Sequence, residues 1–187
     1  MEERHIIAIY CRFSNDDKIK NTDNYSQMFP EYVINRINKA SEVYSRIVSS
    51  HPDKEYIKII FFGQKPIELL KNYGMSIGLP EEKIGLDNCK DISAMAKKIW
   101  MTVKDNNATP RVYFIASNWQ WIYLVPLISV KDTQYQFYFE GTIDERHPDK
   151  IEMDKMMERV TKINLNKNRL ANVLDKVGTS LSENLKG

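Results

Sequence analysis

An α/β fold, a three-layer and doubly wound arrangement with helices on both faces of a mostly parallel sheet, is predicted by three features of the chain. Apolar runs of strand length occur at His5–Phe13, Ile57–Phe62 and Arg111–Ala116. Helical periodicity fills the intervals, most plainly from Val33 to Val48 and from Ile92 to Val103. Strands that alternate with helices need crossover connections, and crossovers lay helices against a parallel sheet.

The elements follow in order. HIIAIYCRF (His5–Phe13) is the first strand. Ser14 to Phe29 is polar, with Asn, Asp and Ser throughout, and reads as a long loop, a length that a compact domain keeps for function or disorder. Pro30 suits the first turn of a helix, and Val33, Ile34, Ile37, Ala40, Val43, Tyr44, Ile47 and Val48 form its apolar stripe up to His51-Pro52-Asp53. IKIIFF (Ile57–Phe62) is the second strand, and Gly63-Gln64-Lys65-Pro66 turns it into a helix over Ile67–Asn72. Gly74 and Gly78 punctuate, and a short strand is expected near Ile84. Asp91 is placed as the N-cap of a helix that carries Ile92, Met95, Ala96, Ile99, Trp100 and Val103 on one face. Pro110 closes that unit.

RVYFIA (Arg111–Ala116) then reads as a central strand buried on both faces. Ser117 and Asn118 break it and are good caps for a helix with Trp119, Trp121 and Tyr123, which Pro126 is expected to kink or end. YQFYFE (Tyr135–Glu140) mixes aromatic and polar residues as a half-exposed edge strand does. Two helical segments, Pro148–Ile163 and Leu165–Val177, finish the chain at Gly178.

A chain of 187 residues suits one domain, with a core over about residues 5–140 and C-terminal helices over 148–178. The hydrophobic content of 42% and charged content of 28% match a soluble globular protein. A net charge of +2 with no basic block gives no electrostatic footprint for nucleic acid. The N-terminus suits neither a signal peptide nor a membrane span, so no membrane partner is expected. Cys11 and Cys89 could form one disulfide, but two in this many residues look more like cytosolic thiols, and the expected location is cytoplasmic. His5, His51 and His147 lack metal-ligand spacing, and no Ser-His-Asp order, carboxylate pair or Walker-type loop is visible.

Open α/β sheets place ligands at the carboxyl ends of their strands, so a strand ending in small polar residues locates a site. Each candidate also has a plainer role. Gly63-Gln64-Lys65 either presents backbone N–H groups to an anion or forms a tight turn with a solvated lysine. Ser117 and Asn118 either bond a ligand or only cap the next helix. Arg36 falls one turn before Ala40, near the buried stripe of its helix, where it either reaches an anion in the crevice or pairs with an acid such as Asp87. The pairing is the expected role. Trp119 and Trp121 diverge on a helix, so one lines a pocket, or one packs in the core while the other meets a second subunit. Cys11 ends the first strand, where a buried inert thiol is the simpler account than a nucleophile.

Several landmarks resemble the YdcF-like family (the group that includes SanA and ElyC relatives), which has a Rossmann-like fold. They are Arg36-x-x-x-Ala40-x-x-Val43-Tyr44, IKIIFFG ending in Gly63, GLPEEKIGLD ending in Asp87, Ser93 six positions later, and RVYFIAS ending in Ser117. Together they span about Ile6 to Ile128. The chain departs from the family after its first strand, where Tyr10-Cys11-Arg12-Phe13-Ser14 replaces a glycine-rich loop. It departs again at Gln64, in place of a second glycine, and at Gln120 and Tyr123, where the family places a histidine and an arginine. The resemblance implies a small-molecule ligand, nucleotide-like or otherwise anionic, such as S-adenosylmethionine. It also implies a site drawn from Ser14, Arg36, Gly63, Gln64, Asp87, Ser93, Ser117, Asn118 and Gln120. The departures suit a second expectation, a catalytically degenerate domain that serves as an interaction or oligomeric module, for instance a homodimer.

Overall fold

The structure, a computed structural model, describes residues 4–13, 17, 19–50, 56–64, 66–104, 110–128 and 136–156. Five strands, β1 (His5–Tyr10), β2 (Ile57–Gly63), β3 (Ile84–Asn88), β4 (Arg111–Ser117) and β5 (Gln136–Thr142), form one sheet in the order β3-β2-β1-β4-β5. Every neighbouring pair is parallel, with His5 level with Ile57 and Arg111, and Ser117 level with Thr142. The chain steps from β1 outward through β2 to β3, then returns across the sheet to place β4 on the other side of β1. The strand order reverses between β1 and β4, and that is where a doubly wound sheet opens its ligand crevice.

Helices cover both faces. The long α2 (Glu31–Ser50) and α3 (Ile67–Ser76) lie on one, after a single helical turn, α1 (Tyr25–Met28). Val33, Ile37, Ala40, Val43 and Ile47 of α2 pack there on Ile7, Ile9, Ile59, Phe61 and Ile115. The other face carries α4 (Ile92–Lys104) and α5 (Trp121–Ile128), with Ile92, Met95, Ile99 and Val103 on Ala8, Phe62, Val112 and Phe114. All six residues of β1 are buried, as two-sided cover of a central parallel strand requires. Each large aliphatic side chain so enclosed contributes about 1.5–3 kcal/mol by leaving water. A sixth helix occupies 148–156. Among the described residues no helix is long and apolar enough to cross a membrane.

The expected alternation, the central place of β4 and the edge place of β5 are all present. Asp91 caps α4 by accepting the Ala94 N–H at 2.7 Å. Four details differ from the sequence reading. β1 stops at Tyr10, and among the described residues just beyond it Cys11 keeps a ladder bond, to the Phe62 carbonyl at 2.7 Å. The polar stretch before α2 contains a helical turn, because Asn24 accepts the Ser26 N–H as an N-cap. The helix α3 runs on through Gly74 to Ser76, because a glycine is what fits against the Phe61 ring there, 2.9 Å from where a Cβ would stand. The helix α5 continues past Pro126 to Ile128. The carbonyl that loses its partner to that proline belongs to Ile122, a residue exposed enough for water to serve instead. Within the C-terminal helical segments, only 148–156 lies inside the described residues.

The end of α3 shows why Gly78 is a glycine. Leu79 N–H bonds the Gly74 carbonyl at 3.0 Å and Gly78 N–H bonds the Met75 carbonyl at 3.1 Å, the paired closure of a Schellman motif. The motif needs a left-handed residue, and Gly78 has φ +98°. Gly78→Ala is expected to lower stability by about 1 kcal/mol, the cost of a Cβ in that region. In urea unfolding the midpoint should fall with an unchanged slope.

Candidate functional site

The crevice at the reversal is lined by Tyr10, Arg12, Phe13, Tyr32, Arg36, Trp119, Gln120, Arg146 and Asp154. Arg36 is its base. The helical stripe that buries Val33, Ile37 and Ala40 also turns Arg36 toward the sheet, leaving the residue 1% exposed. Its Nη1 donates to the Tyr10 carbonyl at 2.8 Å and its Nη2 to Ser117 Oγ at 2.6 Å, so one guanidinium ties the ends of β1 and β4 together. The guanidinium also lies 5.6 Å from the Tyr10 ring centre and 4.9 Å from that of Tyr32, both within cation–π range. Burial lowers the Arg36 pKa, and the nearby Tyr32 and Asp144 oppose it. The group stays cationic, because a guanidinium does not lose its proton in proteins. Its Nε is buried without a hydrogen-bond partner, and Arg36 forms no ion pair with any described acid.

A second arginine closes the other side. Arg146 follows β5 and holds Asp144 through two parallel bonds, Nε to Oδ1 and Nη2 to Oδ2, each 2.8 Å, while Nη1 donates to Asp154 at 2.8 Å. Its guanidinium stands 4.1 Å from the Tyr32 ring centre, so Tyr32 serves both arginines. The Tyr32 hydroxyl donates to Asp17, and burial, aided by that acid, raises its pKa. Asp144 also accepts from Trp119 Nε1 at 2.9 Å and Ser117 Oγ at 3.3 Å. Burial pushes the Asp144 pKa up, but the hydrogen bonds from Arg146 and Trp119 outweigh it and hold the carboxyl down at about 2.

The turn after β4 is set by its own residues. Ser117 caps the 3-10 turn Asn118–Gln120, and Gln120 returns its Oε1 to the Ser117 N–H at 2.9 Å, a capping box. Gln120 is thereby buried at the crevice wall. Asn118 points away, with its Oδ1 1.8 Å from where a Cβ on Gly141 would stand, so Gly141 leaves it the room. Trp119 reaches the crevice, while Trp121 is exposed and packs on Phe139 at 4.5 Å. Tyr123 is buried, and its hydroxyl donates to the Lys155 carbonyl at 3.2 Å.

Of the expected site residues, Arg36, Ser117 and Gln120 meet here. Gly63, Gln64, Asp87 and Ser93 share the carboxyl edge of the sheet but sit beyond β1, on the β2–β3 side. The expected pairing of Arg36 with Asp87 is wrong. Asp87 lies on edge strand β3 and pairs with Lys98, whereas Arg36 reaches across β1 to β4. Gly63 fits a packing role, since a Cβ there would stand 3.1 Å from the Cys11 carbonyl. Ser14 and Lys65 lie outside the described residues. Cys11 and Cys89 are buried free thiols. Burial drives both pKa values up, that of Cys89 to about 12, which keeps them protonated and unreactive.

Tyr32, Arg146, Asp144 and Asp154 were not singled out from the sequence. Tyr32 stands four residues before Arg36 and shares its helix face, a signal that was present. Asp144 and Arg146 resemble any solvated pair in a connection, and only the fold brings them to Ser117. No family model, curated protein or solved structure matches the chain. The functional reading therefore rests on this geometry.

The depressed Asp144 pKa makes a testable statement about acid stability. A carboxyl held at about 2 against an ordinary 3.8 adds about 2 kcal/mol to stability, present above the ordinary value and lost as pH falls through the folded one. Urea unfolding between pH 5 and about pH 2 is expected to show that loss. In Asp144→Asn the same stretch should be flatter by about that amount.

Proposed function

We propose that the protein binds a small ligand through an oxyanion seated against Arg36, between the carboxyl ends of β1 and β4. The observation that carries the reading is the Arg36 guanidinium itself, buried, positively charged and bonded only to neutral acceptors. A buried cation without a paired anion is costly, and the cost falls when a ligand supplies the anion. The place agrees with the chemistry, since the reversal of strand order is where such sheets bind ligands. Tyr10, Phe13 and Trp119 supply aromatic surface beside the charge, which suits a ligand with a planar part such as a nucleotide-like molecule. The YdcF-like resemblance points the same way, toward S-adenosylmethionine or a related compound. A cytoplasmic location belongs to this proposal and is supported by the two free thiols.

A second reading, an interaction or oligomeric module, is supported by Trp121 and Ile122, which lie side by side and exposed at the start of α5. A homodimer that buries Trp121 against the edge strand β5 is the form it would take.

Thermal shift against S-adenosylmethionine, nucleotides and sugar phosphates separates the two. A ligand at about 100 times its Kd adds about 2.7 kcal/mol of stability, a shift of several degrees for a domain of this size. The wild-type chain is expected to respond to at least one anionic compound, and Arg36→Met to lose that response while remaining folded. Silence across the panel, with a dimer that Trp121→Ser dissociates, would favour the module instead.

A further inference from the structure

We infer that the Asp144 carboxylate sits in the seat of the ligand's own anion, so that a phosphoryl group binds by displacing a competitor built into the chain. The inference rests on the ligand-binding reading of the crevice and adds to it the class of group bound and the contact that must break.

Three observations lead there. The first is the donor set around Asp144. Its two oxygens together receive the Arg146 fork, the Arg146 backbone N–H at 3.4 Å, Trp119 Nε1 and Ser117 Oγ, with the Arg36 guanidinium one hydroxyl further on. Forked and charge-assisted donors converging on one group are how proteins hold phosphoryl and carboxylate groups. The second is how Asp144 is held. Ser117 and Trp119 belong to the end of β4 and its capped turn, whereas Asp144 belongs to the connection from β5 to the helix at 148–156. In that connection Ile143, Glu145 and His147 face solvent, and only Asp144 and Arg146 turn inward. The third is space. The crevice is narrow and is walled by Arg36, Arg146, Trp119 and Gln120. The Arg146, Trp119 and Ser117 donors beside it are already taken by Asp144, so a phosphoryl group reaches them only by displacing that carboxylate.

The exchange balances. An incoming oxyanion takes over the donors of Trp119, Ser117 and Arg146, and the Asp144 carboxylate passes to water, so the number of charge-assisted bonds is kept. With Asp144 out, Arg36 and Arg146 are left with Asp154 as their bonded acid. The seat then carries net positive charge, which favours a dianionic phosphate monoester over a carboxylate.

Isothermal titration of the full chain with inorganic phosphate, beside acetate, tests the exchange. Asp144→Asn keeps the shape and removes the competing charge, and it is expected to bind phosphate about tenfold more tightly than wild type, because a neutral amide yields the Arg146 fork more readily and the competent fraction rises by about that factor. Acetate should bind more weakly than phosphate to both proteins. In wild type, saturating phosphate should speed hydrogen exchange of the 143–147 amides. Equal or weaker phosphate binding by the variant, with 143–147 no less protected in loaded wild type, overturns the competition and leaves the ligand reading standing. Failure of both proteins to bind either anion overturns both. Should Asp144→Asn not fold, exchange in wild type decides alone: faster exchange on loading supports displacement, and unchanged exchange refutes it.

Discussion

One guanidinium organises the working end of this fold. Arg36 lies under the reversal of strand order and gives a hydrogen bond to each strand that borders it, through Tyr10 on β1 and Ser117 on β4. Where the ladder between parallel strands runs out, side chains and turns can still join their ends. Here the join is a cation, and a buried cation imposes conditions on everything near it. Two tyrosine rings lie beside it, a serine passes on the influence of Asp144, and a second arginine stacks on the shared Tyr32 ring.

These conditions explain the form of the neighbouring segments. Ser117 bonds Arg36 through its side chain while it caps the next turn, so the strand end and the helix start are fixed by one residue. Fixing that turn sends Trp119 into the crevice and Trp121 out of it. The connection after β5 is then drawn inward by Asp144, whose carboxyl gains more from Arg146 and Trp119 than it loses by burial. The Asp144–Arg146 pair is therefore more than a surface ion pair, since both of its side chains are largely enclosed.

Much of this architecture was legible because it follows from periodicity and caps. The stripe from Val33 to Ile47 has one place to go, against a sheet, and Asp91 before Ile92 has one ordinary role. The functional end was legible in position and less so in membership. Arg36 and Ser117 are 81 positions apart, and nothing local says that they meet. The strand order decides it. Without that order, Gly63, Asp87 and Ser93 are as well placed at the carboxyl edge as Ser117. With it, they fall on the far side of β1. Asp87 illustrates the physics, because an acid on an edge strand finds the nearest lysine, here Lys98, before any arginine across the sheet. Asp144 and Arg146 were illegible for a different reason, since two residues apart in a connection they carry no periodic signal.

The central claim is that the Arg36 charge is fixed and desolvated and draws an anion to the carboxyl ends of β1 and β4. NMR observation of the Arg36 Nε–H tests it most directly. The account predicts a resolved, slowly exchanging resonance that moves when the chain is saturated with a phosphate monoester. A resonance that exchanges as fast as a solvated guanidinium, or that stays unmoved at saturation, would contradict it.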